Sequence, residues 1–113
     1  AMGLPNTVPA AEAGIGRPDM SLGGIGACPY APGATGNVAT EDVVHMLQCM
    51  GYDTGMDLEG LIDAASALEA LVQHDLPSQV SRAGHRFTRH APPADFNDIA
   101  ARAHARRGKE LQT

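Results

Sequence analysis

Proline at positions 5, 9, 18, 29 and 32, interleaved with glycines up to Gly36, constrains the first third of this chain more than any other feature. Proline lacks the backbone N–H and clashes with the preceding helical turn, costing about 3 kcal/mol or more in a helix interior. Pro5, Pro9 and Pro18 are therefore expected to break any long periodic element. Within this region MSLGGIG (20–26) carries a short apolar alternation. It reads as a short strand running into an irregular loop over 26–39.

Regular structure is expected from Thr40 onward. Thr40 is a good N-cap, and Glu41 and Asp42 fall in the first turn, where the helix dipole favours acids. Val43, Val44, Met46, Leu47 and Met50 follow at helical spacing, and Gly51 is a natural stop. Asp57 then caps a second helix over about 58–73. Its apolar face is Leu58, Leu61, Ile62, Ala65, Leu68, Leu71 and Val72, the strongest amphipathic signal in the chain. Pro77 and Ser78 open a short helix around 78–83. Residues 84–94 read as linker, and 95–107 as a last helix whose large apolar residues are Phe96 and Ile99.

The 113 residues suit one small domain, but there is no Trp and only two Phe and two Tyr. Much of the apolar content is alanine, which buries little area, so a thin core is expected. Residues 1–81 hold ten acids against one base, a balance of −9, whereas 82–113 hold seven bases against three acids, a balance of +4. The basic tail lacks interleaved aromatics, so it reads as a solvated segment rather than a nucleic-acid surface. Cys28 and Cys49 form neither a CxxC pair nor a disulfide framework, which fits a reducing interior. No apolar run is long enough to span a bilayer, and no signal peptide is visible. The expectation is a cytoplasmic chain with no membrane partner.

The loop GACPYAPGATGN (26–37) places one of the two cysteines among glycines and prolines. A thiol in such a loop beside a helix N-terminus can be accessible and serve as nucleophile or acid–base group. It can equally be a small buried hydrophobe. Asn37 is as open: asparagine tolerates left-handed turns, and its side-chain oxygen is also a hard ligand for Mg²⁺ or Mn²⁺.

SLGGIGACPYAPGATGNVATEDVVHML (21–47) closely resembles the signature loop of 3-hydroxy-3-methylglutaryl-CoA lyases. GYDTGMDLEGLIDAASALEALV (51–72) resembles the stretch that follows it, and the similarity runs from about MGLPNTVPAAEAGIGRPD (2–19) to residue 84. The resemblance implies a metal-dependent carbon–carbon lyase on a (β/α)₈ TIM barrel, cleaving its acyl-CoA substrate to acetyl-CoA and acetoacetate. It makes Cys28 a proton-transfer residue and Asn37 a ligand of Mg²⁺ or Mn²⁺. Glu41 becomes an acid supporting the site, while Gly33 and Gly36 let the loop close over substrate.

A (β/α)₈ barrel needs about 250 residues. The family's Asp-Arg-Glu segment and its His-x-His pair are absent here. The expectation is therefore the C-terminal third of such a barrel, mostly α-helical by itself with an irregular N-terminal third. Residues 1–25 would be the remnant of a barrel helix and the last strand. The catalytic loop would be 26–39, the closing helices 40–83 and the basic tail 84–113. The family helix matching 3–13 should be broken or shortened by its prolines. One neutral amide oxygen cannot hold the cation, so the chain is expected to bind metal weakly and to be inactive alone. The alternative is a non-catalytic remnant or helical interaction module. Its exposed faces would meet the missing barrel portion or a second copy. His45 is read as a packing or surface residue and Cys49 as an ordinary helix residue. His85, His90 and His104 are expected to be solvated, and Met46, Met50 and Met56 to fill the core.

Overall fold

The computed structural model of the chain describes residues 2–110. Five α-helices and one 3-10 turn follow one another: α1 (Gly3–Glu12), the turn Leu22–Gly24, α2 (Thr40–Cys49), α3 (Leu58–Val72), α4 (Gln79–Ala83) and α5 (Phe96–Glu110). None of these described helices is long and apolar enough to cross a membrane. The expected basic tail extends past residue 110, and 111–113 lie outside the described residues.

The N-terminal expectation fails at α1, which runs unbroken through Pro9. Pro5 lies in the first turn, where the N–H groups have no intrahelical partner in any case. Pro9 costs the single bond it would have given to the Pro5 carbonyl. Around it Asn6 N–H donates to Met2 O at 3.1 Å and Ala13 N–H to Pro9 O at 3.0 Å. The helix buries none of its residues and packs against α2.

The expected strand at 20–26 is replaced by one parallel bridge, Ser21 with Ala39, followed at once by the 3-10 turn. Ser21 N–H donates to Val38 O at 3.1 Å and Thr40 N–H to Ser21 O at 2.9 Å. The backbone corrects the cap assignment, being extended at Ala39 (φ −71, ψ 129) and helical from Thr40. Ala39 is the N-cap, without a side-chain bond, and Thr40 is the first helical residue.

α2 sits at the centre, against α3, α4 and the 3-10 turn. Buried apolar residues among those described are Ala39, Val43, Val44, Ala65, Leu76 and Val80, so the core is thin, as the composition implied. Leu76 packs over Gly23 so closely that a Cβ there would collide with it. At the end of α2 the Tyr52 and Gly51 amides donate to the Leu47 and Gln48 carbonyls, at 3.0 and 3.1 Å, which closes the helix where the glycine predicted. Leu71 departs from its expected face and is 79% exposed. A three-residue step falls short of a full helical turn, and from Leu68 that drift carries Leu71 off the buried stripe. Met50 and Met56 are also exposed rather than core residues.

Pro9→Ala restores the missing N–H to the interior of an exposed helix. It is expected to stabilise the chain by up to about 3 kcal/mol, read as a higher urea midpoint with an unchanged slope.

Candidate functional site

The loop over 26–37 is closed at its base and open at its tip. The Ser21–Ala39 bridge brings its two ends together. At the base Asn37 Nδ2 donates to Ile25 O at 3.2 Å. A carbonyl can only accept, so this bond fixes which end of the amide faces it. The Asn37 side-chain oxygen is then the atom left for a cation. Asn37 lines an open cavity of about 390 Å³ with Thr35, Gly36, Asp42, the start of α1 and Pro77. At the tip two successive turns form, with Ala31 N–H donating to Cys28 O at 3.1 Å and Ala34 N–H to Ala31 O at 3.0 Å. Cys28 is exposed there, which removes the buried-hydrophobe reading, and Tyr30 beside it is 94% exposed.

The two loop glycines differ in kind. Gly33 has φ +82 and open space around it, whereas Gly36 has φ +94 and lies wedged at the base. A Cβ on Gly36 would stand 2.8 Å from the carbonyl oxygens of both Gly24 and Gly26. Gly33 therefore belongs to the tip and Gly36 to the seam that holds the loop ends together.

Glu41 is fully buried. Its Oε2 accepts the Gly23 N–H at 3.0 Å and its Oε1 accepts the Ser81 hydroxyl at 2.8 Å. One carboxylate thus ties the 3-10 turn before the loop to α4. Hydrogen bonds to an ionised acceptor are roughly twice as strong as neutral ones. A buried carboxylate without them would be strongly destabilising. Both Glu41 oxygens are thus taken up by internal partners.

Asp42, which the sequence reading treated only as a first-turn acid, extends this support. Its Oδ1 accepts the Ser78 hydroxyl at 3.0 Å and the Val80 N–H at 2.8 Å. Gln79 N–H reaches both carboxylate oxygens at 3.0 Å. Asp42 therefore closes the N-terminus of α4 from another helix, where negative charge is favoured. Ser78 also caps α4 itself, accepting from Ser81 N–H at 3.2 Å. Pro77 and Ser78 are the sequence signals that marked this junction.

His90 and His104 are exposed as expected, whereas His85 is half-buried and paired, and His45 packs. His45 Nε2 accepts the Arg86 N–H at 3.1 Å and lies 3.4 Å from the Cys49 thiol. His85 pairs with Glu59. These contacts lay residues 84–87 against α2 and α3, where the sequence suggested free linker. Among the described residues no group of three or more His, Cys, Asp or Glu side chains is placed to hold a metal ion. The donors present, one amide oxygen at Asn37, do not complete a divalent-cation site.

Residues 1–68 match the HMGL-like family. The hydroxymethylglutaryl-CoA lyase of Bacillus subtilis is 49% identical over 76 residues, 67% of this chain and 25% of that protein. The (R)-citramalyl-CoA lyase of Chloroflexus aurantiacus is 46% identical over 82 residues, 73% of this chain and 26% of that protein. A solved HMG-CoA lyase of Acinetobacter baumannii, in complex with coenzyme A and 3-methylmalate, superposes with a TM-score of 0.77 at 46% identity. That match covers 82% of this chain and 30% of the solved one. The chain spans about a quarter of the length of the curated relatives it matches.

Gly36→Ala is expected to destabilise the chain by clearly more than Gly33→Ala. The latter should cost only the left-handed backbone penalty, about 1–2 kcal/mol. Urea unfolding of the two variants checks this, and equal losses would contradict the wedged seam.

Proposed function

The chain belongs to the HMGL-like family, and from that premise we propose that it supplies the catalytic loop of a carbon–carbon lyase acting on 3-hydroxy-3-methylglutaryl-CoA. In this reading the chain is the C-terminal part of a (β/α)₈ barrel, and the remaining walls and cation ligands come from outside the described residues. The observation that carries it is the loop itself, with an exposed Cys28 at the tip and Asn37 held at a base closed by Glu41.

The chemistry follows from where charge develops. Cleavage breaks the bond between the carbon bearing the hydroxyl and the carbon next to the thioester. The hydroxyl loses its proton and becomes the ketone of acetoacetate. The bonding pair goes to the thioester side as an enolate, which takes a proton to give acetyl-CoA. Cys28, on an exposed turn, is the proton-transfer group, and such a group contributes about 10²–10⁴-fold. Asn37 would offer one oxygen to Mg²⁺ or Mn²⁺, a cation that would stabilise negative charge developing on the substrate oxygens. Glu41 holds the loop base through the Gly23 amide. Gly33, free of neighbours, lets the tip move over substrate and exclude water. The described residues hold too few cation ligands for turnover by this chain alone.

A second reading concerns the substrate. The (R)-citramalyl-CoA lyase at 46% identity favours a related hydroxyacyl-CoA cleaved at the corresponding bond. The loop chemistry is the same, because the acyl group is held by walls that lie elsewhere.

A chimera tests both readings. Residues of this chain replace the matching 76-residue stretch of the Bacillus subtilis relative, and product release is followed for each thioester with Mg²⁺ or Mn²⁺. The chimera is expected to release acetoacetate, and Cys28→Ala in it to lose at least about 10²-fold in kcat. A folded chimera whose rate survives Cys28→Ala would overturn the assignment of Cys28. Faster cleavage of citramalyl-CoA would select the second substrate.

A further inference from the structure

α5 stands off the body of the molecule. Phe96 is 52% and Ile99 42% exposed, and no substantial packing against another helix involves α5 among the described residues. The radius of gyration is 19.0 Å, against about 13 Å for a compact chain of this length. A 15-residue helix without packing is marginal in water, so its apolar side calls for a cover.

The helical repeat shows what that side looks like. At about 100° per residue, Phe96, Ile99, Ala100 and Ala103 share one side of α5, which Arg107 continues one turn beyond Ala103, with Arg102 and Arg106 along one border. On α3 an exposed side next to the point opposite buried Ala65 carries Gly60, Ala64, Ala67 and Leu71. Glu59 and Asp63 run along one border of that side. Both sides are narrow and built largely from small residues, which lets two helices approach closely. Their borders are opposite in sign, as are the regions they belong to: −9 over residues 1–81 and +4 over 82–113.

Geometry then selects an orientation. The charged border lies in the same rotational sense from the apolar centre on both helices. When two such helices face each other antiparallel, the borders fall on the same side of the seam. In a parallel arrangement they fall on opposite sides. Setting Phe96 beside Leu71 places Ala103 beside Ala64, and Arg106 between Glu59 and Asp63.

We propose that the occupant is a second copy of this chain: α5 of each copy lies antiparallel on α3 of the other, in a two-fold exchange. Each protomer donates one basic helix and receives one, so the same patch serves on both sides, as closed dimers require. The bonds from Glu59 to His85 and from His45 to Arg86 fix where the exchanged arm leaves the body. Apolar burial of Phe96, Ile99 and Leu71 provides the affinity, and the Arg106 contacts set the register.

Sedimentation velocity of the full chain at low and high salt tests this. A dimer is expected that loosens with salt. Arg106→Glu and Asp63→Lys should each weaken it about tenfold or more through like-charge contacts, and the two together should restore it. All four positions involved in charge are exposed, and circular dichroism checks that the variants keep their helices. A chain that stays monomeric up to its solubility limit, or a dimer indifferent to both reversals, would overturn the proposal. With Cys28 and Cys49 replaced by serine, Ala67→Cys combined with Ala100→Cys should give a disulfide-linked dimer. A bond closed within one chain would instead show that α5 folds back on its own α3, and would equally overturn it.

Discussion

The buried carboxylate of Glu41 is the interaction on which the rest of this small structure depends. It reaches Gly23 on one side and Ser81 on the other, elements 18 and 40 residues away in sequence. With so few large apolar side chains, hydrophobic burial alone specifies little here. Charge-assisted hydrogen bonds from two adjacent acids take over part of that role. Glu41 fixes the 3-10 turn under α2, and Asp42 fixes the start of α4. The core residues Val43 and Val44 follow directly after them, so polar clamp and apolar core share one turn of one helix.

This construction explains how an irregular loop can be functional without a sheet beneath it in the described residues. A loop is positioned by its ends. Here the ends meet through the Ser21–Ala39 bridge, the Asn37 bond to Ile25 and the narrow passage at Gly36. The tip carries Cys28 in open turns. The base is thus closed by backbone and side-chain bonds, and the tip is accessible.

The helical half of the fold was legible in the residues. The 3.6-residue spacing located α2 and α3, Ser78 marked α4 and Gly51 marked the end of α2. The loop was legible because a long, unusual string of glycine, proline, cysteine and asparagine has few alternative readings. Other features were not legible. The prolines of α1 read together as helix breakers, whereas only Pro9 removes a bond, and Pro5 stands where none was due. Thr40 had the right side chain for a cap, but the extended backbone ends one residue earlier, at Ala39, so Thr40 already lies inside the helix. Asp42 looked like an ordinary first-turn acid because its partners lie more than 30 residues on.

By itself the sequence determined the local periodicities, the chemistry available in the loop and the separation of acidic body from basic tail. Those properties depend on neighbours within a few residues. The tertiary structure alone decided that Glu41 points inward to hold two distant elements and that Asp42 caps a helix from outside. It also decided that Gly33 and Gly36 serve different purposes and that α5 is left without a partner. Each of these depends on which backbone groups remain unsatisfied once the helices have packed, and that is settled only when the chain is folded.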